Sequence, residues 1–368
     1  MTTPTTEAVA ERDRSANEGR HGAEAARTGD IVVRTVGFLS VLDSVRIEVG
    51  GRTFHVDCRT DDPTDEELAG AHVVLFFNKA VHGPLRHRVP RERRVAVLSE
   101  SPIDTCYRRL DVSERLFPVL YTHIRSVVAR SPQYRFCPFG TNWMTIRTDE
   151  ATERVLAESP AKTGNVSFIG SLAHARTGAY SLRHDVAETL VSRPELGVDC
   201  YGRGIRPVDD KRDAIRPYRF SVAMENAAVD HYFSEKLIDC LLMETAPVYY
   251  GCPGIGELFD IEGFVPFGTV EELVDVLPSL TPERYAAMRP AIAANKRTAI
   301  ANRWHNHENL LRRVIEDWAA DPELLTPAIE ERPIGEAAIG RGPTTVRRAV
   351  EKVRRTLSRK AYTLPEAE

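Results

Sequence analysis

The stretch YFSEKLIDCLLMETAPVYYG, residues 232–251, places an acidic and a basic residue side by side where a helix is about to begin. Ser234 is a favourable N-cap residue, and the apolar residues of 237–242 recur at spacings that suit one broad helical face. The Thr-Ala-Pro run that follows predicts the end of the helix, and VYY predicts a short buried strand. The stretch is therefore a helix-strand unit with Glu235 and Lys236 at its charged front end.

The composition of the chain favours a soluble protein of two domains. It has 368 residues, of which 42% are hydrophobic, enough for a core in each domain. A formal net charge of −4 gives no reason to expect a nucleic-acid partner. No apolar run approaches the roughly 20 residues that span a bilayer, and the N-terminus lacks the apolar core of a secretion signal. We therefore expect a cytoplasmic protein.

The pattern along the chain divides it into four parts. Residues 1–29 contain no aromatic residue and are predicted to be disordered. Short apolar runs then alternate with helix-like stretches through two series, which predicts an α/β domain over residues 30–155 and another over residues 156–320. Residues 321–368 are predicted to form a Pro-rich linker and a basic helix.

The basic helix is predicted from TTVRRAVEKVRRTLSRK, residues 344–360, in which a thin valine and leucine stripe is surrounded by arginine and lysine. A helix of this kind can lie on an anionic membrane, here the inner face, or pack on a partner such as a second copy of the chain. It can equally dock on the protein's own body. The pattern does not choose among these.

The front end of the central helix suits a diphosphate. Free N–H groups and the positive end of the helix dipole favour phosphate, and ligands collect at the carboxyl ends of parallel strands. Lys236 is placed to neutralise such a group, and Glu235 to accept hydrogen bonds from sugar hydroxyls. In the alternative interpretation, Glu235 complements the dipole and Lys236 is solvated.

Other charged residues stand at strand and helix ends where a site is expected. Glu225 and Asn226 close the strand YRFSVAMEN, and Arg183 lies in the first turn of the helix SLRHDVAETL. Glu100 ends the strand RVAVLSESP, from which a carboxylate can act as a general base. The alternatives are an ordinary strand end, a surface ion pair and a capping glutamate.

Several common site motifs are absent from the sequence. His305 and His307 in WHNHEN stand at i and i+2, which do not share a helix face, so we predict no metal there. The chain contains neither GxGxxG nor GxxxxGK[ST]. We predict no cofactor and no metal that the protein must bind, although a divalent ion can still stimulate the reaction.

Taken together, YRFSVAMEN and YFSEKLIDCLLMETAPVYYG resemble the donor-binding motif of the α-1,3-fucosyltransferases, glycosyltransferase family 10. LSESP, CPFGTNW and SLRHDVAETL resemble further elements of that family. The similarity extends over roughly residues 70–320 and is most specific over 218–251. The family's membrane-anchored Golgi enzymes differ from this chain, which resembles a bacterial-type soluble member.

The resemblance implies a GT-B architecture, in which two Rossmann-like domains face each other across a cleft. It further implies inverting transfer of L-fucose from GDP-fucose to a hydroxyl of a glycan or glycoconjugate. Glu100 would be the catalytic base on the acceptor side. The donor would be bound by residues of the second domain: Arg183, Glu225, Asn226, Tyr232, Ser234, Glu235 and Lys236.

The chain departs from the family pattern at two positions near the expected donor pocket. Met224 replaces an aromatic residue and Ala227 replaces a serine. The donor is therefore GDP-fucose or another nucleotide sugar, and the acceptor a glycan, a lipid-linked glycan or a small molecule. The other alternative is a catalytically silent nucleotide-sugar binding module.

Overall fold

The computed structural model describes residues 30–38, 43–144, 146, 148–172, 181–321, 324 and 332–340. The predicted disordered segment 1–29 and the predicted basic helix 344–360 lie outside the described residues. Within the described part, no helix combines the length and apolar character needed to cross a membrane.

The first domain is built on a seven-stranded sheet in the order β2-β3-β1-β4-β5-β6-β7. Only the β2–β3 pair is antiparallel, and the other pairs are parallel. The strands are β1 (Asp30–Val36), β2 (Ser44–Val49), β3 (Arg52–Asp57), β4 (Val73–Phe77), β5 (Arg94–Leu98), β6 (Val119–Thr122) and β7 (Tyr134–Phe136).

The second domain contains a fully parallel sheet of five strands in the order β12-β11-β10-β8-β9. Its strands are β8 (Gly164–Ser171), β9 (Val198–Arg203), β10 (Tyr218–Met224), β11 (Ala246–Tyr250) and β12 (Val265–Pro266). Two α/β domains, each built on a largely parallel sheet, face each other across a cleft. This confirms the GT-B architecture.

Helices cover both sheets. They are α1 (Asp65–Gly70), α2 (Leu110–Leu116), α3 (Arg125–Val128), α4 (Asp149–Ala157), α5 (Ser181–Ser192), α6 (Glu235–Leu242), α7 (Val270–Val276), α8 (Pro282–Ala301) and α9 (His307–Ala320). The predicted helix-strand unit is α6 followed by β11. The strand begins two residues earlier than VYY suggests, since Ala246 and Pro247 already pair with Phe220 and Ser221 of β10.

The last helix returns to the first domain. The sequence pattern grouped α9 with residues 156–320, yet its apolar face packs on the first sheet, with Trp318 fully buried beside Phe54. Residues 332–340, predicted as linker, also dock there. Ile334 is buried, and its N–H donates to the Ala71 carbonyl at 2.8 Å. A buried apolar side chain and a paired backbone are why this segment is not a free linker.

Candidate active site

A cavity of about 730 Å³ lies in the cleft, where the carboxyl ends of strands from both sheets meet. It brings together seven of the eight residues predicted from sequence. They are Glu100 from the first domain and Arg183, Asn226, Tyr232, Ser234, Glu235 and Lys236 from the second. The eighth, Glu225, does not line the cavity.

The N-terminus of α6 is assembled as its sequence predicts. Ser234 is the N-cap, and its hydroxyl accepts a bond from the Lys236 N–H at 3.4 Å. The Lys236 ammonium donates to Glu235 Oε1 at 2.9 Å and to Ser234 Oγ at 3.2 Å. The helix therefore presents a positive dipole end and an ammonium group to the same cavity.

Glu235 is kept as a carboxylate. Burial opposes its ionisation, but the ammonium groups of Lys236 and Lys211 outweigh that effect and lower the pKa of Glu235 to about 2. An ionised carboxylate that lines the cavity can accept hydrogen bonds from ligand hydroxyls near neutral pH.

Glu225 lies behind this wall. Its side chain is fully buried, and its carboxylate accepts bonds from the Ser234 N–H at 2.8 Å and from the Ser234 hydroxyl at 2.6 Å. Lys236 Nζ stands 3.9 Å away. Burial raises the pKa of Glu225, against the opposing charge of Lys236. Glu225 thus anchors the cap of α6 and does not reach the cavity.

This arrangement predicts that Glu225→Ala destabilises the fold. The variant leaves the two Ser234 donors without their buried acceptor, which costs about 1–3 kcal/mol. Glu225→Gln is the matched control, because its amide oxygen still accepts the Ser234 N–H. Denaturant unfolding should rank wild type, Gln and Ala in that order of stability. Equal midpoints for wild type and Glu225→Ala would show that the anchor contributes nothing.

Arg183 and Asn226 form a second cationic corner. Arg183 extends from the first turn of α5 and donates to the Asn226 side-chain oxygen at the end of β10. Both line the cavity. Met224, the departure from the family pattern, also lines it, whereas Ala227 does not. Of the two departures, only Met224 thus lies where it can alter the shape of the pocket.

Glu100 occupies the opposite wall. Asn78, which follows β4 with a positive φ of 49°, accepts bonds from the N–H groups of Ser99 at 2.8 Å and Glu100 at 3.1 Å. The Glu100 side chain is exposed to the cleft. Partial enclosure, joined by the negative charge of Asp104, raises the pKa of Glu100. A carboxylate with a raised pKa is a stronger base than an ordinary glutamate.

The two walls are close enough to influence each other. Glu235 raises and Lys236 lowers the pKa of Glu100 across the cleft. One cavity therefore combines a base on one side with an ammonium, a guanidinium and a helix N-terminus on the other. This arrangement can hold a diphosphate and deprotonate a hydroxyl beside it.

Residues outside the predicted set also belong to the cavity. Asn78 follows the apolar run HVVLFF, so the strand-end argument that singled out Glu100 applies to it equally. Trp143, at the end of the CPFGTNW element, and Lys211 also line the cavity, although neither was predicted as a site residue. Tyr232 is buried, and its ring lies 5.3 Å from that of His123 in the first domain.

In the described part of the chain, three side chains of metal-ligand type come together at one place. His184, Asp185 and Glu188 of α5 offer ligand atoms within 4.8 Å of one another. His305, rejected as a metal ligand from its spacing, faces the Thr152 hydroxyl at 3.2 Å. That the protein needs no metal remains a prediction.

Comparison with known proteins finds a family match within the second domain. Residues 160–288 match the model of glycosyltransferase family 10 (fucosyltransferase), C-terminal part. Over this segment the chain is similar to glycosyltransferase family 10.

Two curated relatives agree with this family. A fucosyltransferase-like protein of Arabidopsis thaliana is 31% identical over 137 residues, which cover 36% of this chain and 26% of the relative. The alpha-(1,3)-fucosyltransferase FucT of Helicobacter pylori is 25% identical over 165 residues, covering 43% of this chain and 31% of that protein. The matches thus span about a quarter to a third of each relative's length.

Two solved structures illustrate the similarity of fold. A crystal structure of an alpha1,3-fucosyltransferase has a TM-score of 0.48 and 14% identity, covering 83% of this chain and 92% of that one. Anabaena Alr3699/HepE in complex with UDP has a TM-score of 0.47 and 13% identity, covering 72% of this chain and 86% of that one.

Proposed function

We propose that the chain is an inverting glycosyltransferase that moves L-fucose, or a related sugar, from GDP-β-L-fucose to a hydroxyl of an acceptor glycan or glycoconjugate. The observation that carries this proposal is the shared cavity, in which Glu100 faces Lys236 and Arg183. The family match over residues 160–288 and the names of the two curated relatives support fucose as the sugar.

In the proposed reaction, Glu100 takes the proton of the acceptor hydroxyl while that oxygen attacks C1 of the donor sugar. The bond from C1 to the β-phosphate oxygen breaks, and its electron pair leaves with GDP. Attack from the face opposite the leaving group inverts the configuration at C1. Lys236, Arg183 and the N-terminus of α6 stabilise the charge that grows on the diphosphate.

The remaining residues position the donor. The ionised Glu235 accepts bonds from sugar or ribose hydroxyls, while Ser234 and the buried Glu225 fix the first turn of α6. Asn226 and Tyr232 complete the pocket wall. In this proposal the cationic groups do the work that a metal ion does elsewhere, so the transfer proceeds without a resident metal.

The acceptor, the cellular location and the assembly state depend on what the basic segment 344–360 contacts. If the acceptor is a lipid-linked glycan, residues 344–360 would hold the protein at the inner face of the membrane. If the acceptor is a soluble glycan or a small molecule, no membrane contact is needed. A homodimer through the same segment is the alternative use of a basic amphipathic helix.

Transfer itself separates the enzyme from a silent binding module. We expect the chain to release GDP from GDP-fucose, with the rate increased by an accepting member of a panel that includes N-acetyllactosamine. Lys236→Ala should suppress both rates. Saturable GDP binding without hydrolysis or transfer across the panel would instead identify a module that has lost catalysis.

A further inference from the structure

The exposed indole of Trp143 stands in the mouth of the cleft. Five large hydrophobic side chains are exposed among the described residues, and Trp143, at 64%, is the most exposed of them. It is also the one that lines the cavity. The other two tryptophans, Trp304 and Trp318, are buried. An apolar ring left open at a binding cleft indicates a contact made when the cleft is occupied.

The backbone beneath this indole is held firmly. The Trp143 N–H donates to Asp239 Oδ1 at 3.1 Å, and the Asp239 side chain is fully buried in α6. The preceding Asn142 is also fully buried, and its side chain bonds the Met144 N–H at 2.9 Å and the Ile146 carbonyl at 2.9 Å. The backbone that carries the ring is therefore fixed, which lowers the entropic cost of using Trp143 as a contact.

A charged group lies over one face of the indole ring. Lys211 Nζ lies 2.5 Å from Asp239 Oδ2 and 5.2 Å from the centre of the indole. Lys211 also helps to keep Glu235 ionised, so the indole, Lys211 and Glu235 share one electrostatic neighbourhood. An apolar face beside a carboxylate and an ammonium matches a pyranose ring, which has a C–H face and hydroxyls around its edge.

The carboxylate beneath the ring, Asp239, does not serve a purine base. Asp239 is fully buried, and its oxygens already accept bonds from the Trp143 backbone N–H and from Lys211. That carboxylate is therefore not available to the N1–H and N2–H edge of guanine. The groups proposed to bind phosphate, Lys236 and Arg183, line the same cavity.

We propose that Trp143 is a stacking platform for a pyranose ring, held in place by the Lys211–Asp239 pair. This inference rests on the proposed function and extends it, because it names a residue that binds sugar and not nucleotide. The ring is that of the acceptor or that of the donor sugar, and GDP, which contains no pyranose, makes no use of the platform.

Steady-state kinetics on Trp143→Ala and Trp143→Phe test the proposal. We expect the Ala variant to raise the KM of the substrate whose ring is stacked by about tenfold. The Phe variant, which keeps an aromatic face, should restore most of the loss. GDP affinity should stay within about twofold of wild type in both variants. A changed KM for the acceptor alone, or for GDP-fucose alone, identifies the source of the ring.

Two results would overturn the platform: a parallel loss of GDP affinity in Trp143→Ala, or unchanged KM values for both substrates. Iodide quenching of the wild-type protein gives a second readout without turnover, because Trp143 is the exposed tryptophan. GDP-fucose or N-acetyllactosamine should protect it more than GDP does, and equal protection by GDP would contradict the proposal. If sugar protects the indole but no transfer occurs, the proposed activity is contradicted and the stacking role of Trp143 is kept. If transfer is normal and Trp143→Ala has no effect, the stacking role is contradicted and the proposed activity is kept.

Discussion

Glu100→Gln is expected to lower turnover by about 10²- to 10⁴-fold while leaving GDP affinity nearly unchanged. The amide cannot take a proton from the acceptor hydroxyl, so the step that makes the attacking oxygen a nucleophile is lost. In the proposed function GDP binds to the opposite wall, where Lys236, Arg183 and α6 are untouched by the substitution. Turnover and GDP titration together separate a base from a binding residue.

The pH dependence of wild type provides a linked check on Glu100. The base must be ionised, so activity should fall as the pH drops through the pKa of Glu100. Because partial enclosure and Asp104 raise that pKa, the fall should begin at a higher pH than for an ordinary glutamate. Asp104→Asn removes a negative charge that raises the pKa of Glu100, so it should move the acidic limb to lower pH. The asparagine keeps a side-chain oxygen that can accept the Cys106 N–H, as Asp104 does at the start of the 3-10 helix Thr105–Tyr107.

Glu100→Gln should lose this acidic limb entirely. Wild-type turnover in that variant would show that another group is the base. An unchanged pH profile in Asp104→Asn would show that Asp104 does not act on the catalytic carboxylate.

Lys236→Ala is expected to weaken GDP binding by roughly ten- to a hundredfold. A charge-assisted contact to phosphate contributes on the order of 1.5–3 kcal/mol, and each 1.4 kcal/mol is about tenfold in affinity. The substitution also removes the ammonium that pairs with Glu235 at 2.9 Å, so the pKa of Glu235 should rise from its low value. Calorimetric titration of GDP measures the loss.

Lys236→Arg is the matched control, because it keeps the positive charge at the same helix turn. It should bind GDP more tightly than the Ala variant, and wild-type binding should weaken as salt is added. Equal GDP affinity in wild type and Lys236→Ala would show that the Lys236 ammonium does not bind the diphosphate. Binding would then be due to the helix N-terminus and Arg183.

The parts of the site that lie at element ends were predictable from sequence. Ser234 and the apolar spacing after it predicted the start of α6, and the strand-end rule predicted the positions of Glu100 and Asn226. That rule also fits Asn78, which bonds the backbone of Glu100. Local patterns suffice here because parallel strands deliver their carboxyl ends to the same edge of a sheet.

Contacts between distant segments were not predictable in this way. Lys211 and Trp143 contact Asp239 from 28 and 96 residues away. Neither the sequence around Lys211 nor CPFGTNW, which contains Trp143, indicates that contact. Glu225 was placed correctly at its strand end, but whether its side chain enters the cavity or supports α6 depends on the packing of Ser234 above it. For α9, the apolar stripe predicts a buried face without saying which sheet will cover it.

Nucleotide selectivity tests the central claim most directly. Titration calorimetry of the full chain with GDP, and with UDP under the same conditions, asks whether the cleft formed by Glu100, Arg183 and Lys236 is a GDP-sugar site. The account predicts saturable binding of one GDP per chain and no measurable heat from UDP. Binding of UDP without binding of GDP would contradict it.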